Sequence, residues 1–210
     1  MNGFYGECLR LEIFGQSHAE SVGMTLEGVP AGARVDFDAL LHFMQRRAPG
    51  RSEYATARRE ADVPEFTSGL RDGVTDGMPI TAVIRNTDVR PQDYDALRTV
   101  PRPGHADYSA WLRYGSIPTG GGEFSGRMTA PLCITGGICL QLLENEGVSI
   151  RAHVNEIGGA HDEKAMHDKI MQAKAEGDSV GGVIECVAEG VPAAVSYTHL
   201  RAHETPEHLV

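Results

Sequence analysis

Two short runs of alternating side chains, residues 8–14 (CLRLEIF) and 22–27 (VGMTLE), flank seven small or polar residues, GQSHAES. Successive side chains of a strand point to opposite faces, so a period of two suits a half-buried strand, and a polar, turn-rich link folds the second run back beside the first. The pattern predicts an antiparallel hairpin with His18 at its tip. An imidazole exchanges protons near neutral pH as no other unperturbed side chain does, although an arbitrary loop histidine is usually an ordinary surface residue.

Beyond the hairpin, Asp36 opens a helical pattern (DFDALLHFMQRR) with apolar Leu40, Leu41 and Met44, closed by two arginines and then Pro49 and Gly50. EFTSGL and PITAVIRN, on either side of DGVTDGMP, read as strands, and DYSAWLRY as a short helix. Residues 86–106 hold few apolar residues and three prolines, which predicts a loop; one that long in a compact domain is functional or disordered. GSIPTGGGEFSGR runs into MTAPLCITGGICLQLLENEG, a buried helix despite Pro131 and the Gly136–Gly137 pair. SIRAHVNEI and GGVIECVAEGV read as strands around DEKAMHDKIMQAKAEG, an exposed amphipathic helix. Strand pairs mixed with long helices define an α+β chain rather than a doubly wound sheet.

The 210 residues, 41% hydrophobic, suffice for a sizeable core. A net charge of −10 gives no general basic surface, which argues against nucleic acid or an acidic membrane as partner. No apolar run is long enough to span a membrane and the N-terminus lacks a signal-peptide core, so the expected location is cytoplasmic. Cys8, Cys133, Cys139 and Cys186 show no CxxC spacing and are expected to be buried, reduced thiols.

Against that acidity, Arg46, Arg47, Arg51, Arg58 and Arg59 fall within fourteen residues. Guanidinium groups match carboxylates and phosphates in a bidentate way, so the cluster fits a polyanionic ligand; pairing with Glu53, Glu60 and Asp62 on a solvated face is an equal alternative. His105, in RPGHADY, is a second loop imidazole. In GGGEFSGRMTA, consecutive backbone N–H groups leading into a helix suit a phosphate, with Ser125, Arg127 and Thr129 as further donors, yet neither the P-loop nor the GxGxxG spacing is present.

Taken together, FGQSHAESVGMTLEGVPAG, RRAPGRSEYATARREADVPEFTSGLRDGVTDGMPITAVIRNTD, DYDALRTVPRPGHADY, GGGEFSGRMTAPLCITGGICLQLL and GDSVGGVIECVAEGVP, in this order, resemble the chorismate synthase family over roughly residues 3–193. The resemblance implies a β-α-β sandwich that assembles as a homotetramer. It also implies the 1,4-anti elimination of phosphate from 5-enolpyruvylshikimate 3-phosphate, with reduced FMN lending and recovering electron density. By position in the motifs, His18 corresponds to the histidine that protonates the departing phosphate and His105 to the one that protonates or stabilises the reduced flavin. Arg46, Arg47, Arg51 and Arg127 correspond to substrate-binding arginines, and Arg47, Phe124, Ser125 and Arg127 to cofactor-binding positions. NADPH is implied where a member reduces its own flavin; with no appended reductase here, an external flavin reductant is expected. No metal is implied.

Departures from the family are Gln16 and Ala19 around His18, Glu53 where a basic residue is common, and Glu123 where some members place arginine. The larger one is SYTHLRAHETPEHLV, with three of the nine histidines, which resembles translated sequencing-adapter sequence rather than a domain. The expected organisation is therefore an incomplete family core over 1–193 and a non-native or disordered tail over 194–210. Such a chain lacks the family's later flavin-binding segments and the Asp that assists proton removal, so little lyase activity is expected of it. Another FMN-binding protein, a flavin reductase or a non-catalytic fragment is the alternative reading.

Overall fold

The computed structural model describes residues 3–5, 8–48, 50, 60–87 and 100–192. Two compact units divide the chain, Met1–Gln141 and Leu142–Val210. In the first, β1 (Gly3–Tyr5), β2 (Arg10–Gly15), β3 (Ser21–Glu27), β4 (Glu65–Ser68) and β7 (Ile80–Arg85) form an antiparallel sheet in the order β1-β2-β3-β7-β4, and β5 (Leu70–Arg71) pairs with β6 (Val74–Thr75). The hairpin read from the alternation is present: β2 and β3 pair from Arg10↔Glu27 to Gly15↔Val22, leaving residues 16–20 as the link that carries His18.

Period-two patterning decides the faces. Val22, Met24 and Leu26 of β3 lie opposite Ile84, Ala82 and Ile80 of β7, and all six are buried. Phe66 of β4 pairs with Ala82 and so shares their face, where its ring meets Phe37 at 5.4 Å between centroids. Phe37 begins α1 (Phe37–Gln45), which therefore starts on the buried side of the sheet. The side chain of Asp36 accepts from the Ala39 amide and caps the helix, satisfying a donor that helix geometry leaves unpaired. Leu40 and Met44 are buried as the spacing requires, and Leu41 is half-buried.

The predicted short helix is α2 (Asp107–Tyr114), ended by Gly115 in the left-handed region. The apolar segment from Thr129 forms α3 (Thr129–Asn145), with Pro131 in its first turn, where a missing N–H removes no helical bond. Gly137 marks a close approach to α1: a Cβ there would stand 2.5 Å from Leu40 Cδ1 and 3.1 Å from Phe43 Cδ1.

The second unit contains β8 (Ser149–Ile157), α4 (Glu163–Glu176) and β9 (Gly182–Glu189), with the two strands antiparallel. No residue of α4 is buried, as expected of an exposed helix, and none of β9 is. The expectation of four buried thiols needs correction: all are free, but Cys8 and Cys186 are exposed and Cys133 and Cys139 only half-buried. Cys186 lies on a strand that no described residue of its own unit buries, and Cys8 falls in the link between β1 and β2. Burial pushes the Cys133 and Cys139 thiols up from their ordinary range. No helix among the described residues is long and apolar enough to cross a membrane. Pro49, Glu53, Arg51, Arg58, Arg59, most of the proline-bearing loop and the proposed tail lie outside the described residues.

Candidate active site

Two imidazoles from distant parts of the chain meet one glycine turn. Gly120, Gly121 and Gly122 all have positive φ (61°, 88° and 52°) inside the 3-10 segment Thr119–Phe124, a path that only glycine follows without strain. The same residues have a steric reason to lack side chains. A Cβ on Gly120 would penetrate the ring of His18, and one on Gly121 would stand 2.7 Å from Cε1 and 2.8 Å from Nε2 of His105. The triple glycine is thus the surface on which both predicted histidines rest.

The hairpin link reaches this turn through Ser17. Its amide donates to Gly122 O at 3.4 Å, its Oγ donates to Gly120 O at 3.3 Å, and its Oγ lies 2.9 Å from His18 Nδ1. A hydroxyl has one proton; with that proton on Gly120 O, the Ser17 oxygen accepts from Nδ1–H of His18. Nε2 is then the nitrogen from which a protonated His18 passes a proton outward.

His105 is held from its other side. Its Nδ1 lies 2.7 Å from Asp107 Oδ1, and Arg102 clamps the same buried carboxylate through Nε to Oδ2 (2.7 Å), Nη2 to Oδ1 (2.9 Å) and its own amide to Oδ2 (3.1 Å). These hydrogen bonds from Arg102 hold the Asp107 carboxyl well below the usual carboxylate range despite its burial. Asp107 opens α2, where the helix dipole also favours a negative charge.

The predicted arginines divide. Arg127 is buried: Nη1 donates to Asp62 Oδ1, Nη2 is 2.9 Å from Glu60 Oε2, and Nε donates to Asn86 Oδ1 at 3.1 Å. Arg47 donates to Asp62 Oδ2 at 2.7 Å, to Thr129 Oγ1 at 3.0 Å and to Gly126 O at 3.3 Å. Two guanidinium groups and two carboxylates therefore balance one another beside the glycine turn. Arg46 stands apart, exposed, with its guanidinium 5.8 Å from the Phe43 ring centroid. Ser125 caps the turn Gly126–Met128 by accepting from the Arg127 amide at 3.3 Å. Phe124 is exposed, 6.5 Å from the ring of Tyr114, whose hydroxyl is pushed up chiefly by its hydrogen bond with Glu123.

Asn86 joins the two halves of this arrangement. Its Nδ2 donates to Gln16 O (3.0 Å) and Ala19 O (2.8 Å) on either side of His18, while its Oδ1 holds Arg127. Asn86, Arg102, Asp107 and Ser17 have no place among the site residues read from sequence, where Asp62 enters only as a carboxylate partner of the arginine cluster. For Arg102 and Asp107 a signal exists, since both lie within three residues of His105; for Asn86 none does. Among the described residues no group of three His, Cys, Asp or Glu is disposed to hold a metal ion.

Fold and site together define an α+β protein in which loop imidazoles converge on a glycine turn beside a neutralised arginine cluster. A solved crystal structure of a chorismate synthase has this fold: it superposes with a TM-score of 0.64 at 23% identity, covering 89% of this chain and 59% of that one. The family model for chorismate synthase matches residues 9–202, and the chain belongs to the chorismate synthase family. Relatives of that name include those of Lancefieldella parvula (40% identical, 97% of this chain and 64% of that protein) and Chitinophaga pinensis (41%, 91% and 57%). The relative from Thermococcus kodakarensis is 39% identical over 89% of this chain and 59% of its own. The chain thus spans about three-fifths of the length of these curated relatives.

Proposed function

We propose that this chain carries the proton-handling part of a chorismate synthase active site, acting in the elimination of phosphate from 5-enolpyruvylshikimate 3-phosphate. The observation that carries the reading is the convergence of His18 and His105 on Gly120 and Gly121. A leaving phosphate departs more readily once protonated, and an imidazolium whose Nδ1–H is engaged by Ser17 presents its Nε2 proton in a fixed direction.

Reduced FMN, when bound, supplies the electron density that lets phosphate leave before a weakly acidic ring proton is removed. Among the described residues, His105 beside the glycine turn would offer that group a polar nitrogen. Phe124 and Ser125 border the turn and would line the same cradle. Arg127 and Arg47 support the reading as the scaffold of the glycine loop, because their charges are already met by Glu60 and Asp62. Arg46, exposed at the end of α1, is the described member of the arginine cluster on which the substrate's carboxylates would draw. The flavin is reduced from outside the chain, and the protein acts in the cytoplasm as a homotetramer.

The test is anaerobic incubation of a chain completed to the length of its relatives with dithionite-reduced FMN and 5-enolpyruvylshikimate 3-phosphate, with phosphate release and calorimetric substrate binding read in parallel. His18→Ala should lower phosphate release at least about 100-fold, the span of one general acid, and leave substrate binding within a few-fold. Equal release rates in parent and variant would overturn the assignment.

A further inference from the structure

We infer that Asp107, locked by Arg102, is a positioning residue that sets the tautomer of His105, making Nδ1 the protonated nitrogen and turning a proton-accepting Nε2 toward the glycine turn. The inference rests on the proposed role of His105 but concerns residues that role does not name. Asp107 Oδ1 stands 2.7 Å from His105 Nδ1, too close for two facing lone pairs; a proton must lie between them, and an ionised carboxylate does not supply it. The carboxylate stays ionised and oriented because Arg102 approaches both of its oxygens. Its side chain is almost wholly buried, so water does not compete for the acceptor.

Arg102 Nη2 lies 3.3 Å from Nδ1 and 3.5 Å from Nε2, Asp107 is on Nδ1, and the glycine turn meets Cε1 and Nε2 at Gly121. Arg102 is a donor only, so it does not share the proton on Nδ1; its shorter contacts go to the carboxylate. A neutral imidazole in this setting is an acceptor at Nε2, suited to stabilising a reduced ring at the turn by taking a hydrogen bond from it. The opposite tautomer would offer a donor there instead. Asp107 therefore decides which way hydrogen bonding runs between His105 and its ligand.

Long-range 1H–15N correlation spectra of the uniformly labelled 210-residue chain, recorded at a pH where the imidazoles are neutral, read this directly, with His105→Gln identifying the signals. The parent should show a pyrrole-type Nδ1 and a pyridine-type Nε2. Asp107→Ala should move the majority to the Nε2–H form, and so should Asp107→Asn, whose one carbonyl oxygen is drawn to the two Arg102 donors at Oδ2 and whose NH2 then faces Nδ1. A parent in the Nε2–H form, or an Asp107→Ala variant that keeps Nδ1–H, overturns the inference. Should Asp107→Ala fail to fold, the parent spectrum still decides it, since an Nε2–H majority there is fatal. These spectra need no flavin. Unchanged reduced-FMN affinity in His105→Gln would defeat the functional reading while leaving the tautomer assignment standing.

Discussion

Asp107 also makes stability depend on pH. Its carboxyl is held below the unfolded value, near 3.9, first by the side-chain hydrogen bonds of Arg102, then by that residue's amide and charge and by His105. A depressed carboxyl stabilises the fold above its unfolded pKa, and the contribution is lost as pH falls through the folded one. The carboxamide in an Asp107→Asn variant does not ionise, so the difference in melting temperature between parent and variant should be largest near pH 7 and narrow steadily below about pH 4. Thermal melts from about pH 7 to about pH 2.5 check this; a difference that grows in acid would contradict it. At this scale the histidines were legible in the sequence and the partners that hold Arg127 were not. His18 and His105 stand in motifs whose order along the chain is specific, whereas Asp62 reaches Arg127 across 65 residues and Asn86 reaches it across 41, separations that no local pattern encodes.

Elements supply the rigidity on which these side chains depend. Gly137 lets α1 and α3 approach until Leu40 and Phe43 fill the space a side chain would take. Gly137→Val should destabilise the protein by about 1–3 kcal/mol through overpacking, more than any gain in helix propensity returns; urea denaturation measures it. The carboxylate between α1 and the glycine loop is more sensitive. Asp62→Ala leaves Arg127 buried with part of its counter-charge removed and unties Arg47, a loss of about 3–5 kcal/mol for a broken buried pair. An Asp62→Ala variant as stable as the parent would show that water reaches Arg127. The elements themselves were readable because their signals are local: alternation for β2 and β3, a capping Asp36 for α1, a long apolar run for α3. The arginine cluster fits either a ligand or carboxylates by its sequence; for Arg47 the carboxylate partner is Asp62, and Arg127 joins the same group.

Across the whole molecule, burial is uneven. The core residues Val22, Met24, Leu26, Ile80, Ala82 and Ile84 belong to β3 and β7, while α4 and β9 bury nothing. Local opening is cheaper where few apolar contacts are lost, so amides of β3 and β7 should exchange with solvent more slowly than those of β9 by orders of magnitude. Hydrogen exchange followed by mass spectrometry tests this, and equal protection would indicate a cover over β9. Sequence by itself determined the α+β class, the element types and the family, because strand and helix periodicity and motif order are properties of the chain read locally. Tertiary structure alone decided that His18 and His105 share one glycine turn, that Asp107 holds His105, and that Arg47 and Arg127 neutralise Glu60 and Asp62. The physical reason is that hydrogen bonds and ion pairs depend on distances of about 3 Å, and only the packed sheet and helices bring such remote residues that close.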